Sequence, residues 1–489
     1  MIRWRPSQEL VVLVTYTVGL YMTIVDNTII YTALPSLARD LHASLASAQW
    51  VTLSYLITLA MMIPSSGWIG DRFGTRRTFL TALALFTVAS VLCGVSGSLT
   101  ELIIFRVVQG VGGGLIIPVG QAMLFRTFPQ ERRARAVGMV VLGTSLGPAV
   151  GPVLGGVLTT FLSWRWCFFV NVPFGTAALV IGLLFLAEHR EPAAGRLDVA
   201  GFVLAGGGLA LFLYALSESP VRGWASPVII GTGVAGVVVL AALVLVELRS
   251  AAPMLNLRLL GNRIFRTASL VSMCSMGAYS GYLFTMPEFL QQARGASALS
   301  SGLTTFPGAL GVLASSQLAA RAYPRLGPRR MAVGGACGVI AVWSLIGLTV
   351  GLDTNIWLIR LLIFCSGFAI PWCSIAVQTS SFATISSADT GRAAALFQTQ
   401  NQVAAGIGVA LLVTVVSSSS RAGAALLTAF HHAFLTAAAI MVIAALIALT
   451  IRDADAATTM RRRERVPAAP AAPPAEVPPR LQEGTADPG

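Results

Sequence analysis

Residues 143–156 read GTSLGPAVGPVLGG, and the architecture of the chain turns on how they are read. Gly143, Gly147, Gly151 and Gly155 recur every four residues, with Gly156 beside the last. On an α-helix the four drift only slowly around one face, which therefore carries no side chains. Pro148 and Pro152 follow two of them inside a run, 137–162, that is otherwise apolar. In water this helix would be poor, because glycine costs about 1 kcal/mol and proline about 3 kcal/mol relative to alanine. In a membrane bundle small residues let backbones approach, and neighbouring helices satisfy the groups that proline frees. Spacing alone leaves two readings: a tight helix contact, or a bendable seam in a transporter.

The rest of the chain suits the bilayer. Of its 489 residues 55% are hydrophobic and 11% charged, with a mean hydropathy of +0.77. Soluble domains carry roughly a quarter charged residues, so the chain reads as an all-α polytopic membrane protein. Its net charge of +13 is carried entirely by arginine, with no lysine. The arginines cluster in alternate gaps between apolar runs, which fits positive-inside bias and argues against a nucleic-acid partner. Cys93, Cys167, Cys274, Cys337, Cys365 and Cys373 all fall in apolar runs without a CxxC, so they read as packing residues rather than metal ligands or disulfides. Arg3 and Arg5 precede a long first run containing Asp26, which reads as an uncleaved span.

About 20 helical residues cross a hydrocarbon core. Runs of that size number fourteen, beginning near Leu10 and ending near Ile451. They divide into an N-terminal six-helix bundle (1–190), two inserted helices (191–257), a C-terminal six-helix bundle (258–452) and a disordered tail (453–489). With the N-terminus inside, 26 of the 33 arginines are cytoplasmic, and an even number of crossings leaves both termini there. An internal repeat supports the division: RFGTRR at 72–77 and RLGPRR at 325–330 hold matching places in the two halves. Parallel repeats of this kind let a transporter place its site between halves that rock about it.

Few residues are available for chemistry. Asp26 lies in the outer half of the first span, where an ionised carboxylate is costly unless paired or hydrated. It serves either function or a structural hydrogen bond. Arg106, early in the fourth span, falls at a matching depth, so a pair between the two is geometrically allowed. Glu288, after Pro287 near the outer end of its span, is a second acid for a cavity or for the interface. Glu101 and Glu247 sit at span ends and read as solvated. Gly67, Asp71, Arg72, Gly74, Arg76 and Arg77 form a short turn; Asp71 is placed to bind a helix N-terminus or an arginine as a conformational latch.

Together these motifs resemble the major facilitator superfamily, and within it the fourteen-span drug:proton antiporter branch. GWIGDRFGTRR at 67–77 is similar to the superfamily's gating signature, and LIIFRVVQG at 102–110 to the motif whose arginine is tied to proton coupling. Residues 143–156 resemble the antiporter motif of exporters. DNTIIYTALP at 26–35, and Trp164, Arg165 and Trp166 with Asn171, Pro173 and Gly175, resemble that branch in particular. Three places depart from it: Tyr31 and Thr32 replace a usual Asn-Val, Glu288 replaces a usual apolar residue, and the second copy of the gating motif lacks its aspartate.

The resemblance implies a proton-coupled exporter of drugs, antibiotics or similar lipophilic and cationic molecules, not an enzyme, with Asp26, Arg106 and Glu288 in coupling. It also implies a cell-membrane monomer without cofactor or metal, whose partners are protons, a small molecule and the lipid bilayer. There is no lysine for a phosphate-binding GxxxxGK[ST] loop, so the drive is an ion gradient. An uptake carrier on the same fold, or a non-transporting receptor or enzyme, is the alternative. Four scattered histidines with no HExxH or Ser-His-Asp set argue against an enzyme.

Overall fold

The computed structural model describes residues 7–43, 45–190, 198–250, 253, 255–421 and 425–460, and among these there is no strand. The chain begins with α1 (Gln8–Asp40), a short α2 (Leu45–Ala48), α3 (Trp50–Met62) and α4 (Ser66–Phe73), with α3 and α4 bent by 59°. Next come α5 (Thr75–Val95), α6 (Leu99–Thr127), α7 (Arg133–Thr144) and α8 (Gly147–Phe161). A single turn, α9 (Trp166–Phe169), leads into α10 (Asn171–Phe185). Two helices follow, α11 (Val199–Arg222) and α12 (Pro227–Arg249). The remainder is α13 (Arg263–Glu288), α14 (Ala298–Thr349), α15 (Ile356–Ser381), α16 (Thr390–Arg421), α17 (Leu426–Ala448) and a last turn, α18 (Ala457–Met460).

Ten helical stretches are long and apolar enough to cross a membrane, eleven if the bent pair α3–α4 is one span. The protein is a multi-pass membrane protein. The apolar runs of the sequence number more because helices and runs do not coincide. At 52 residues α14 would be about 78 Å long, and it holds two runs broken at Gly327 (φ 77°). Helix α13 is diluted by Ser, Thr and Gly, and α7 and α8 are each short. The break between α7 and α8 coincides with a missing hydrogen bond: Pro148 has no N–H to donate to the carbonyl of Thr144.

Small residues set the packing. The backbone of α6 at Gly110 and Gly114 lies against Tyr55 and Leu59 of α3, and at Gly112 against Ala82 of α5. The glycine stripe of α7 and α8 lies on α1, so that a Cβ at Gly143, Gly147, Gly151 or Gly155 would run into Thr17, Ile24, Thr28 or Thr32 respectively. In the second half, Gly277 of α13 and Gly408 of α16 bring those backbones together. Helix α12 packs on α11, and α11 packs on both α3 and α16. Tyr214 of α11 stacks on Trp50, with ring centroids 5.8 Å apart.

The repeated hexamer is a repeat in three dimensions. Gly74 and Gly327, third in each copy, both have positive φ (98° and 77°) with extended ψ, where a side chain would be strained. Each turn is closed by a carboxylate arriving just after a later helix. Glu188, beyond α10, accepts from the backbone N–H groups of Arg76 (3.0 Å) and Arg77 (3.3 Å). Asp453, beyond α17, accepts from the N–H of Arg329 (3.0 Å). Both therefore occupy a helix N-terminus, where unsatisfied donors favour an anion.

Two expectations are corrected here. Glu247, read as solvated, is 1% exposed and accepts from the backbone N–H of Leu255, because the chain after α12 folds back over it. Residues 453–460, placed in a disordered tail, form a 3-10 turn and α18, held by the hydroxyl contact of Tyr323 with Thr459 (2.8 Å). The rest of that tail, 461–489, lies outside the described residues.

Candidate functional site

Asp26 lies midway along α1 and is 1% exposed. Its Oδ2 accepts from Arg106 Nη1 at 2.6 Å, and neither side chain has any exposed surface. Its Oδ1 accepts from Gln109 Nε2 (2.9 Å) and Asn171 Nδ2 (2.8 Å), so α1, α6 and α10 converge on one carboxylate. Gln109 also donates to Ser90 Oγ of α5 (2.8 Å) and accepts from Arg106 Nη1 (2.7 Å). Arg106 Nε donates to the carbonyl of Val51 (3.0 Å), and its guanidinium lies 4.1 Å from the centroid of the Tyr55 ring. Arg106 Nη2 is buried without a hydrogen-bond partner among the described residues. Spacing explains the convergence: Arg106 and Gln109 share a face at i and i+3, and Gly110 and Gly112 let α3 and α5 approach that face. An apolar cluster that includes Ile30, Leu34, Trp164 and Phe168 packs around the adjoining stretch of α1.

A second group of contacts joins the two halves at the face of the bundle where α1 begins. Asp71, at the end of α4, pairs with Arg126 of α6 at 2.8 Å, with side chains 3% and 6% exposed. Its carboxylate also lies at the start of α16, where a Cβ on Gly391 would sit 2.9 Å from Oδ1. Gly67 of α4 meets the same turn, 2.8 Å from the Gly391 carbonyl by the same test. Arg126 Nε donates to the carbonyl of Ser387 (3.3 Å), and Arg133 Nη1 to that of Phe382 (2.8 Å). Phe125 stacks on Phe382 at 4.3 Å, and Gln398 Nε2 donates to Gln121 Oε1 (2.7 Å). This face is closed. Arg76 and Arg77 take no part in the closure: they serve the turn capped by Glu188, and Arg72 is exposed.

The remaining expected residues are placed as follows. Gly143, Gly147, Gly151 and Gly155, with Pro148 at the helix break, line the α1 contact inside the first half. Gly156 does not, having nothing within 4 Å of a built Cβ. Glu288 is half-buried at the far end of α13, where Gln292 donates to it; it is not among the partners of Asp26. At that same far face Asp40 accepts from Trp164 Nε1 and Arg165 Nη1, both at 2.9 Å, and these bonds hold its carboxyl below the usual range. A cavity of about 200 Å³ opens among α13, α14, α15, α16 and α17, with Val141 of α7 at its edge.

Sequence reasoning missed Arg126 as the partner of Asp71, Ser90 as a member of the Asp26 network and Glu188 as a cap. An arginine late in an apolar helix was a signal for the first. Nothing marked the other two, because serines and loop glutamates are common.

Comparison with known proteins bears on the family and the fold. The family profile described as Major Facilitator Superfamily matches residues 17–199 and 268–481. The putative multidrug resistance protein MdtD of Serratia proteamaculans is 34% identical over 71% of this chain and 73% of its own. The multidrug resistance protein B homolog of Mycobacterium tuberculosis (strain CDC 1551 / Oshkosh) is 32% identical over 80% of this chain and 73% of its own. Among solved structures, the human organic anion transporter MFSD10 (TETRAN) superposes with a TM-score of 0.65 at 16% identity, covering 90% of this chain and 99% of that one.

Proposed function

We propose that this chain, which belongs to the Major Facilitator Superfamily, is a proton-coupled exporter of lipophilic small molecules of the drug or antibiotic kind. The observation that carries the proposal is the Asp26–Arg106 pair, buried without exposed surface inside an apolar bundle. Charges in such a place are costly and mark function by default. A proton arriving at Asp26 cancels its charge, releases Arg106 from its ion pair and loosens the hold of Gln109 and Asn171. That change lies on α1 and α6, and α6 also carries Gln121 and Arg126 at the closed face. Two relatives named multidrug resistance proteins favour export, as does the glycine stripe.

The proposal also includes fourteen crossings. Taking α3–α4, α7–α8 and α9–α10 as single crossings and α14 as two leaves six before α11, then α11 and α12, then six more. Arginine bias puts the closed face and both ends of the chain on the cytoplasmic side of the cell membrane. The cationic class suggested by the acids in the sequence would require a carboxylate open to cargo. Asp26 is held by three donors, and Glu288 does not line the cavity.

The test uses inverted membrane vesicles energised to an inside-acid gradient, challenged with cationic and neutral antibiotics and dyes while proton release is followed optically. Compound-driven release that disappears in Asp26→Asn, with the variant still monodisperse, is the expected result. Release that survives the substitution places the proton elsewhere. Accumulation of a compound by intact cells would support uptake instead.

A further inference from the structure

We propose that the cavity in the second half binds an uncharged amphiphile that accepts and donates hydrogen bonds, rather than a cation. The inference rests on the exporter reading and names its cargo. None of the fifteen residues lining the cavity is charged. Its apolar walls include Met276, Trp343, Phe397 and Met441, and the methionines suit ligands of varied shape. Its polar groups are Ser272, Ser275, Tyr279, Ser374, Gln378 and Asn401. Ser272 Oγ donates to Asn401 Oδ1 at 2.8 Å, which fixes the amide so that Nδ2 is the free end. The side chains of Gln378, Ser374 and Tyr279, all on the lining, make no protein hydrogen bond among the described residues. Apolar walls with a few polar groups have the composition of a small-molecule site, and a volume of about 200 Å³ sets a small ligand.

A cation entering this cavity would lose its water without gaining a counter-charge, a larger cost than a neutral molecule meets. Trp343 and Phe397 do not supply the missing attraction. Trp343 is stacked by Tyr282 at 4.7 Å and 18°, its Nε1 is committed to Ser366 Oγ at 2.8 Å, and its side chain has no exposed surface. Phe397 packs edge to face with Phe382 and is 2% exposed. A cation needs an open ring face; neither of these two rings offers one, so among the three aromatic residues of the lining only Tyr279 is left to meet it.

The experiment measures equilibrium binding to the purified full chain of two neutral probes, chloramphenicol and 7-methoxycoumarin, and two permanent cations, tetraphenylphosphonium and ethidium. The expected result is at least tenfold tighter binding of a neutral probe than of either cation. That binding should weaken about tenfold in Asn401→Leu or Gln378→Leu, and Asn401→Asp should raise cation affinity about tenfold. Cations bound as tightly as neutral probes, no binding of either neutral probe, or neutral binding unmoved by both leucine variants would overturn the proposal. The wild-type ranking needs no variant to fold. Proton release from proteoliposomes, read with the same probes, separates the two readings: release driven by cations alone removes the neutral site and keeps the exporter. Selective binding of neutral probes with no release by any compound keeps the site and removes the exporter.

Discussion

Asp26 and Arg106 illustrate what one pair of residues can commit a protein to. Each charge is tolerable because the other is 2.6 Å away and because Gln109, Asn171 and Val51 bond the other polar atoms of the pair, Arg106 Nη2 excepted. Removing one partner of a buried pair leaves an uncompensated charge and costs about 3–5 kcal/mol, whereas replacing both is far milder. Asp26→Asn and Arg106→Gln should therefore each lower the apparent unfolding midpoint in detergent more than the double substitution does. A double variant less stable than either single would show that the pair does not act as a unit. The pairing was legible in advance because only two charged residues fall at that depth in the first four spans. The rest of the network was not, since Ser90 and Asn171 acquire meaning only when α5 and α10 deliver them to the same carboxylate.

The glycine stripe belongs to helices rather than to residues, and its spacing alone fits both a tight contact and a bendable seam. The structure shows it as a contact face for α1, with Thr28 and Thr32 filling the space a Cβ would need at Gly151 and Gly155. Overpacking of a tight contact costs typically about 1–3 kcal/mol. Gly151→Val should accordingly lose that much stability or fail to accumulate, while Gly156→Val, facing open space, should stay within about 0.5 kcal/mol. Thermal unfolding of the two variants side by side checks this, and equal losses would remove the distinction. The break at residues 145–146 coincides with the hydrogen bond that Pro148 cannot make, although Pro118 and Pro371 lie inside unbroken helices. Which face the stripe presents needs a partner helix: period four marks a smooth face but does not say what leans on it.

At the level of the whole molecule, the halves meet through a few polar contacts. Asp71 bonds Arg126 within its own half and lies against the start of α16 at Gly391 in the other, so a single carboxylate touches both. Asp71→Asn should loosen the closed face. With cysteines replacing Gln121 and Gln398, whose side chains are 2.7 Å apart, the yield of cross-link should fall severalfold when Asp71→Asn is added. An unchanged yield would mean that the face is held shut without it. Arg76 and Arg77, in the same stretch of sequence, belong to a different device, the capped turn that recurs around Gly327.

By itself the sequence determined the solvent, the all-helical class, the repeat and the candidacy of Asp26 and Arg106 as charges within the membrane. Each follows from quantities that need no partner: mean hydropathy, a period, a recurring hexamer, and the expense of ionising a side chain in hydrocarbon. Only the tertiary structure decided that the stripe meets α1, that Glu188 and Asp453 close equivalent turns, that Glu247 is covered, and that the cavity is lined without charge. These depend on which helices lie side by side. Apolar helices in a membrane carry little record of their neighbours, because lipid and a partner helix are almost equally good company for a leucine.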